Sequence, residues 1–364
     1  MCLNHQHTTA FNQAGADAFA DRMIQTLNEG ALCLMTSIGH RTGLFDTLAA
    51  LPPATSGDIA RASGLEEHYV REWLGAMTTA RVVVHDPQAG TYHLPVEHAA
   101  FLSREGGDNI AVYAQYIPLL GRVEDDIVQC FHQGGGVPYE RYPRFHEVMA
   151  EDSGQTVVAA LLDHILPLVP GLIANLERGV RVLDVGCGRG RALATMAARF
   201  PRSTFVGYDL STQAIETARS EAGARRLTNI HFEARDLSDF DQEAEPGRFD
   251  LITSFDAVLD QARPRALLRG IQQALKDDGV YLMQDIRSST HVHNNLDHPV
   301  GTLLYTVSCM HCMSVSLAQG GEGLGAMWGR EQAEELLREA GFTRIEIHTL
   351  EHDFQNDYYV VHKH

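Results

Sequence analysis

Residues 181–190 read Arg181-Val-Leu-Asp184-Val-Gly186-Cys-Gly188-Arg-Gly190. Val180, Val182, Leu183 and Val185 form a short run of strand-forming residues that stops at three glycines spaced by single residues. Residues 192–200 then read as a helix rich in Ala and Met, closed by Pro201. A buried strand, a glycine turn and a helix make the first half of a parallel β-α-β unit. Glycine suits the turn because the chain must bend sharply and let a ligand reach bare backbone. A dinucleotide site uses Gly-x-Gly-x-x-Gly, which seats a pyrophosphate on the helix N-terminus. Here the spacing is Gly-x-Gly-x-Gly, with Asp184 two residues before the first glycine. That acid would repel a pyrophosphate and suits a ligand carrying an ammonium group.

Three further stretches follow in order. Thr204-Phe-Val-Gly-Tyr-Asp209-Leu210 is a second apolar strand ending in an acid, 25 residues beyond Asp184. A carboxylate at a strand's C-terminal end can accept both hydroxyls of a ribose. Ile230-His-Phe-Glu-Ala-Arg-Asp236-Leu237 is the third station, and Phe249-Asp-Leu-Ile-Thr-Ser254-Phe255 is the fourth strand. One glycine motif alone would leave open a Rossmann-like domain for another ligand; four stations in order narrow the choice. Together they resemble the class I methyltransferases that use S-adenosylmethionine. The resemblance implies an α/β fold, a seven-stranded Rossmann-like methyltransferase sheet behind an N-terminal helical and winged-helix domain. It implies that Asp184 orients the methionine amino end while Gly186, Gly188 and Gly190 pass under the adenosine. By the same resemblance Asp209 and Leu210 hold the ribose, Asp236 and Leu237 meet the adenine, and Ser254 and Phe255 close the cofactor site.

At 364 residues the chain can hold two domains and a substantial core. The boundaries expected are a helical and winged-helix dimerisation domain over 1–105, a helical linker and lid over 106–175, and the cofactor domain over 176–364. Twenty-nine basic against 47 acidic residues give a formal charge of −18, which favours small-molecule chemistry and works against a polyanionic partner. Residues 1–7 carry no basic start followed by an apolar core, so no signal peptide is expected. No clean apolar span of membrane length is read, so no membrane partner is expected. Six cysteines, at 2, 33, 130, 187, 309 and 312, do not form a disulfide framework, and a cytoplasmic protein is expected.

The N-terminal third reads as helix over 14–50, with Met23, Leu27, Ala31, Leu34 and Ile38 at helical spacing, ended by Pro52-Pro53. A short helix from Ser56, a turn at Gly64, a second helix over 66–77 and two strands around residues 87–90 give a winged-helix pattern. Helix-turn-helix geometry serves DNA readers, but this second helix sets Glu66, Glu67 and Glu72 against Arg71. A DNA reader needs a basic face, so DNA is not the expected partner; a winged-helix DNA-binding transcriptional regulator that senses the cofactor is kept as the alternative. The region 38–46 with the winged helix resembles the dimerisation domain of O-methyltransferases related to the plant phenolic enzymes, and more closely that of bacterial two-domain methyltransferases often labelled regulators. That resemblance implies a homodimer.

Residues 108–175 read as mostly helical, broken by a loop at Gly134-Gly-Gly-Val-Pro138. Phe145, Met149 and Ser153 share one helical face. Related O-methyltransferases carry such a stripe against the cofactor's methionine end, so Phe145 and Met149 are candidate cofactor contacts; a core stripe would have the same spacing. Those relatives also place a His-Asp pair after the fourth strand, with the histidine as base. Here the matching positions are Leu259 and Asp260. Leucine cannot take a proton.

Other candidates for the acceptor's proton are Asp256, just beyond the strand, and histidines of a long insertion over 287–329, chiefly His311 and His291. Asp256 could equally bind cofactor or cap the next helix. Apolar residues run all round 303–315, so that stretch is expected buried. Within it, Cys309 and Cys312 share a face of a regular helix while His311 turns away. A metal is therefore not expected, and the cysteines are read as small hydrophobes. Methylation of a thiol or metalloid is a weaker option that they suggest. His311 either faces the acceptor or is a buried structural histidine. The expected reaction is methyl transfer from S-adenosylmethionine to a small-molecule acceptor by in-line displacement.

Overall fold

The computed structural model describes residues 11–107 and 109–364, so the reading of residues 1–7 and of Cys2 lies outside the described residues. The chain divides into two compact units, Met1–Pro118 and Leu119–His364.

The first unit begins with a long helix, Gln13–Thr42, started by the Asn12 side chain, which accepts from the Gly15 N–H. The single helix read over 14–50 is in fact two. Gly43 adopts a left-handed φ of 73°, and a separate helix, Leu44–Ala50, follows it. That break turns Leu44 and Phe45 inward, where Phe45 meets Trp73 edge-on at 5.2 Å. Gly39 lets the helices close: a Cβ there would stand 2.5 Å from the Trp73 ring. Ser56–Ser63, the left-handed Gly64 and Glu67–Thr79 form the helix-turn-helix as read. The wing is an antiparallel pair, β1 (Val84–Asp86) and β2 (Thr91–His93). Phe19, Met23, Ile24, Leu27, Leu34 and Ile38 remain exposed along the long helix.

The second unit is built on a sheet of seven strands: β3 (Arg181–Val185), β4 (Thr204–Asp209), β5 (Ile230–Ala234), β6 (Phe249–Phe255), β7 (Leu275–Ile286), β8 (Arg344–His348) and β9 (Asn356–His362). Their order across the sheet is β5-β4-β3-β6-β7-β9-β8. The first five run parallel, and β9 enters antiparallel between β7 and β8. Strands with helices on both faces must be apolar throughout, and β3 from Val182 to Val185 is buried at every residue. The order reverses between β3 and β6, the switch point where open α/β sheets bind ligands beyond their strands' C-terminal ends.

The insertion after β7 forms one helical rod, Gly301–Val307, a π-helical turn Ser308–Cys312, and Met313–Ala318. By length and composition alone Gly301–Ala318 could cross a membrane, a span the sequence reading did not pick out. Leu304, His311, Cys312 and Val315 are buried within the unit, while Thr302 and Tyr305 are exposed, so the rod buries one face rather than the whole stretch expected for 303–315.

Candidate active site

At the C-terminal end of β3 the three glycines all hold positive φ, 69° at Gly186, 52° at Gly188 and 67° at Gly190. They do different things. A Cβ on Gly186 would lie 2.4 Å from the Ala257 Cβ, and one on Gly190 would lie 2.3 Å from the Phe232 ring. A Cβ on Gly188 would meet nothing within 4 Å, so its bare backbone faces open space. The Gly188 N–H donates to Asp209 at 2.8 Å, and the Ser211 N–H donates to the other oxygen at 2.8 Å. Two backbone donors thus hold the Asp209 carboxylate beside the glycine turn. Asp184 is buried on β3, where the Thr253 hydroxyl donates to it at 2.7 Å. Burial pushes its carboxyl up to about 7 despite that bond, and Asp209 adds to the rise. A cation placed against this end of β3 would favour the charged form. Bare backbone, a held carboxylate and a buried acid fit an adenosine with a cationic tail.

The other sequence candidates divide. Asp236 is exposed and accepts from the Ser238 N–H at 2.9 Å, while Leu210 is exposed beside Asp209. Leu237 packs into the core cluster, so only its backbone can meet a ligand. Ser254 is fully buried, its hydroxyl 2.7 Å from that of Tyr281, and Phe255 packs against the core on the opposite face of the sheet from Leu237. Met149 is half-buried on the helix Phe145–Ser153.

Asp256 follows β6 with φ 49°, a left-handed conformation that Asp tolerates but that still costs about 1 kcal/mol or more. Gln284 donates to one oxygen at 3.1 Å, and the other is buried without a partner among the described residues. Burial, and then the carboxylates of Asp285, Asp152 and Asp353, hold its carboxyl well above the ordinary range. Asp285, at the end of β7, accepts from the Trp328 indole and the Ile286 N–H, both at 2.8 Å. Burial still pushes it up to about 7.

An acid whose value in the folded chain lies above its unfolded value, about 3.9 for Asp, costs stability as pH rises between the two. The protein should therefore melt lower at pH 8 than at pH 5.5. Asp285→Asn keeps an oxygen for Trp328 and should narrow that gap by roughly 3–6 °C in a thermal melt. An unchanged gap would show that this carboxyl does not titrate in that window.

The insertion brings His311 to Asp260. Its Nδ1 stands 3.8 Å from the Asp260 carboxylate, too far for a hydrogen bond. The imidazole is fully buried, stacked on Phe145 at 3.5 Å between centroids and edge-on to Tyr142 at 4.8 Å and Tyr139 at 5.4 Å. Phe145 therefore turns its ring to His311. Neither ring nitrogen has a partner among the described residues. Burial, and then the charge of His146, depress the imidazole well below its ordinary value, so it is neutral. Tyr139, from the turn after the glycine loop, donates to Asp260 at 2.9 Å. That loop is fixed to the insertion: a Cβ on Gly136 would strike the Ser314 carbonyl, and the Val137 N–H donates to the Ser314 hydroxyl at 2.8 Å.

The π-turn corrects the expectation for this segment. On a regular helix His311 turns away from the cysteines, but here the donor atoms of Asp260, His311 and Cys312 lie within 4.8 Å of one another. Cys309 lines a separate groove of about 630 Å³ with Ile127, Phe131 and Tyr305. His291 is exposed, its ring stacked on His293 at 5.7 Å, and Leu259 is buried in the core. The sequence reading missed Tyr139 and the grouping of Cys312 with Asp260. The wider turn that groups them leaves no spacing signal.

Residues 176–348 match the model of a methyltransferase domain, and residues 30–104 match that of an Rv2258c-like winged HTH domain. The ubiquinone biosynthesis O-methyltransferase of Neisseria meningitidis serogroup C is 36% identical over 113 residues, 31% of this chain and 46% of that protein. The trans-aconitate 2-methyltransferase of Deinococcus radiodurans is 32% identical over 116 residues, 32% of this chain and 42% of that protein. The chain thus matches somewhat under half the length of these curated relatives. Among solved structures, human N-acetylserotonin methyltransferase in complex with SAM superposes with a TM-score of 0.65 at 16% identity, over 98% of this chain and 99% of that one. An O-methyltransferase family protein from Burkholderia thailandensis gives 0.65 at 14% identity, over 94% and 98%. At such identities these two likenesses speak for the fold alone.

Proposed function

We propose that this chain, which joins a winged-helix domain to a methyltransferase domain, moves the methyl group of S-adenosylmethionine to a small-molecule acceptor. The observation that carries the reading is the set of groups at the sheet's switch point: the bare backbone of Gly188, the held carboxylate of Asp209, and buried Asp184. Asp209 would receive the ribose hydroxyls, Asp184 would face the methionine ammonium, and Asp236 would meet the adenine. The bound donor supplies a methyl group already activated on a sulfonium, so alignment can provide much of the rate.

Among the three candidates for activating the acceptor, we assign the role to His311, with Asp260 and Tyr139 as positioning residues. His291 is exposed on the surface. Asp256 is buried, with its carboxyl held above the ordinary range by that burial and by neighbouring carboxylates, which suits it less as a charged base than to shaping the pocket. Incubation with methyl-labelled donor and a panel of phenols, thiols and amines tests the reading. Label should pass to one class of acceptor; label staying with the donor across all three classes would count against it.

The exposed stripe from Phe19 to Ile38 supports a homodimer, since a contiguous apolar helix face on a soluble chain seeks a partner. A solution mass of two chains by light scattering is the expected result. The rival reading, a DNA-binding regulator, is weakened by the second helix of the winged helix. Its one arginine, Arg71, pairs with Glu67 at 3.4 Å, leaving no free cation there for phosphate. An acidic chain whose five described cysteines are all free thiols suits the cytoplasm.

A further inference from the structure

A fully buried imidazole with both nitrogens unpartnered is costly, because each polar atom has left water without gaining a bond. One oxygen of Asp260 is buried in the same state. The third neighbour, Cys312, is buried beside them. These are a nitrogen, an oxygen and a sulfur donor from two separate elements, all within 4.8 Å of one another. We propose that Asp260, His311 and Cys312 form a three-ligand site for a zinc-class divalent cation, with the fourth position left to the acceptor's oxygen or sulfur.

Thiolate and imidazole select such metals over magnesium or calcium, which take oxygen ligands. Three protein ligands with one open position is the pattern of catalytic zinc. Bonds of about 2.0–2.3 Å place tetrahedral ligands about 3.3–3.7 Å apart. The His311 Nδ1 to Asp260 separation of 3.8 Å is already close to that. The Tyr139 hydroxyl on Asp260 is the outer hydrogen bond that fixes a ligand's orientation. The π-turn explains how two adjacent residues both reach Asp260, and such turns gather at functional sites.

The inference extends the assignment of His311 to the acceptor, and in that sense rests on the methyl-transfer reading. The metal answers the loss of a base at Leu259. Coordination lowers the acidity threshold of the acceptor's O–H or S–H, which gives its proton to solvent. The resulting anion forms its bond to the methyl carbon as the carbon–sulfur bond of the donor breaks, the electron pair staying on sulfur. His311 then acts as a ligand and need not be protonated in the reaction.

The test uses the full chain without an affinity tag, stripped with chelator and titrated with cobalt(II) chloride. One equivalent should bind with an intense thiolate-to-cobalt charge-transfer band in the near ultraviolet, and zinc chloride should bleach it. Cys312→Ser and His311→Ala should abolish the band and weaken zinc binding by more than about 100-fold, while Cys309→Ser keeps both. No band in the wild-type chain, or a band lost in Cys309→Ser and kept in Cys312→Ser, would overturn the site. Circular dichroism verifies that each variant is folded, and the wild-type titration decides the matter even if one is not. Binding of S-adenosylmethionine is measured on the same samples. Donor binding without cobalt removes only the metal site; cobalt binding without donor leaves the site and removes the reading of the reaction.

Discussion

Asp209→Ala should weaken S-adenosylmethionine binding by roughly 100-fold or more, read by calorimetric titration. A carboxylate that accepts two hydroxyls makes two charge-assisted bonds, each worth about 1.5–3 kcal/mol, and alanine makes neither. The variant also releases the Gly188 N–H, which Asp209 now holds at 2.8 Å, so the glycine turn keeps only the Gly186 and Cys187 N–H bonds to the Tyr208 carbonyl as its ties to β4. The effect should therefore exceed that of Asp236→Ala. Asp236 is exposed and satisfies only its own turn through Ser238. A single bond to adenine is worth about 10-fold at that site. Equal losses in the two variants would mean that the ligand does not lie across β4 as described.

His311→Ala should lower kcat by roughly 10²–10⁴-fold on the true acceptor while leaving donor affinity nearly unchanged. His311 is packed in Phe145, Tyr142 and Tyr139, and none of the hydrogen bonds that hold the glycine turn or Asp209 involves it. The same loss is expected whether the imidazole takes the proton itself or holds a metal, and the cobalt titration separates the two. Asp256→Asn should cost far less, because burial and neighbouring carboxylates raise its carboxyl and disfavour the charged form a base would need, and asparagine keeps an oxygen for the Gln284 bond. If Asp256→Asn abolished turnover and His311→Ala did not, the acceptor would lie at the β6–β7 end, against Gln284 and Asp285.

What the sequence made legible is local. A strand ending in spaced glycines announces its turn, because only glycine holds positive φ at three alternate positions without strain. Acids at the ends of β4 and β5 are equally visible, since strand ends can be read from apolar runs. The winged helix was readable for the same reason, through Gly64 and the short hairpin. Leu259 in place of a base was also evident, and its burial in the core agrees with an apolar floor there.

The acceptor side was less legible because it depends on how distant segments pack. Tyr139 and Asp260 are 121 residues apart, and nothing in either neighbourhood names the other. The direction of His311 depends on one turn of helix being wider than the rest, which hydrophobic periodicity does not report. The clue available was chemical: two cysteines, a histidine and Ser308, Ser314 and Ser316 in a stretch otherwise apolar all round. Buried polar groups need partners, so such a stretch predicts a polar site against its face. The break at Gly43 was missed for the opposite reason, since Leu44 and Phe45 continue the apolar spacing on both sides of it.

The central claim is that the turn at Gly186–Gly190 with Asp184 and Asp209 holds S-adenosylmethionine. Calorimetric titration of the purified chain with S-adenosylmethionine and, separately, with NAD tests it most directly. The expected result is saturable binding of one S-adenosylmethionine per chain, displaced by S-adenosylhomocysteine, with NAD binding far more weakly. Tighter binding of NAD, or no saturable binding of S-adenosylmethionine, would contradict the account.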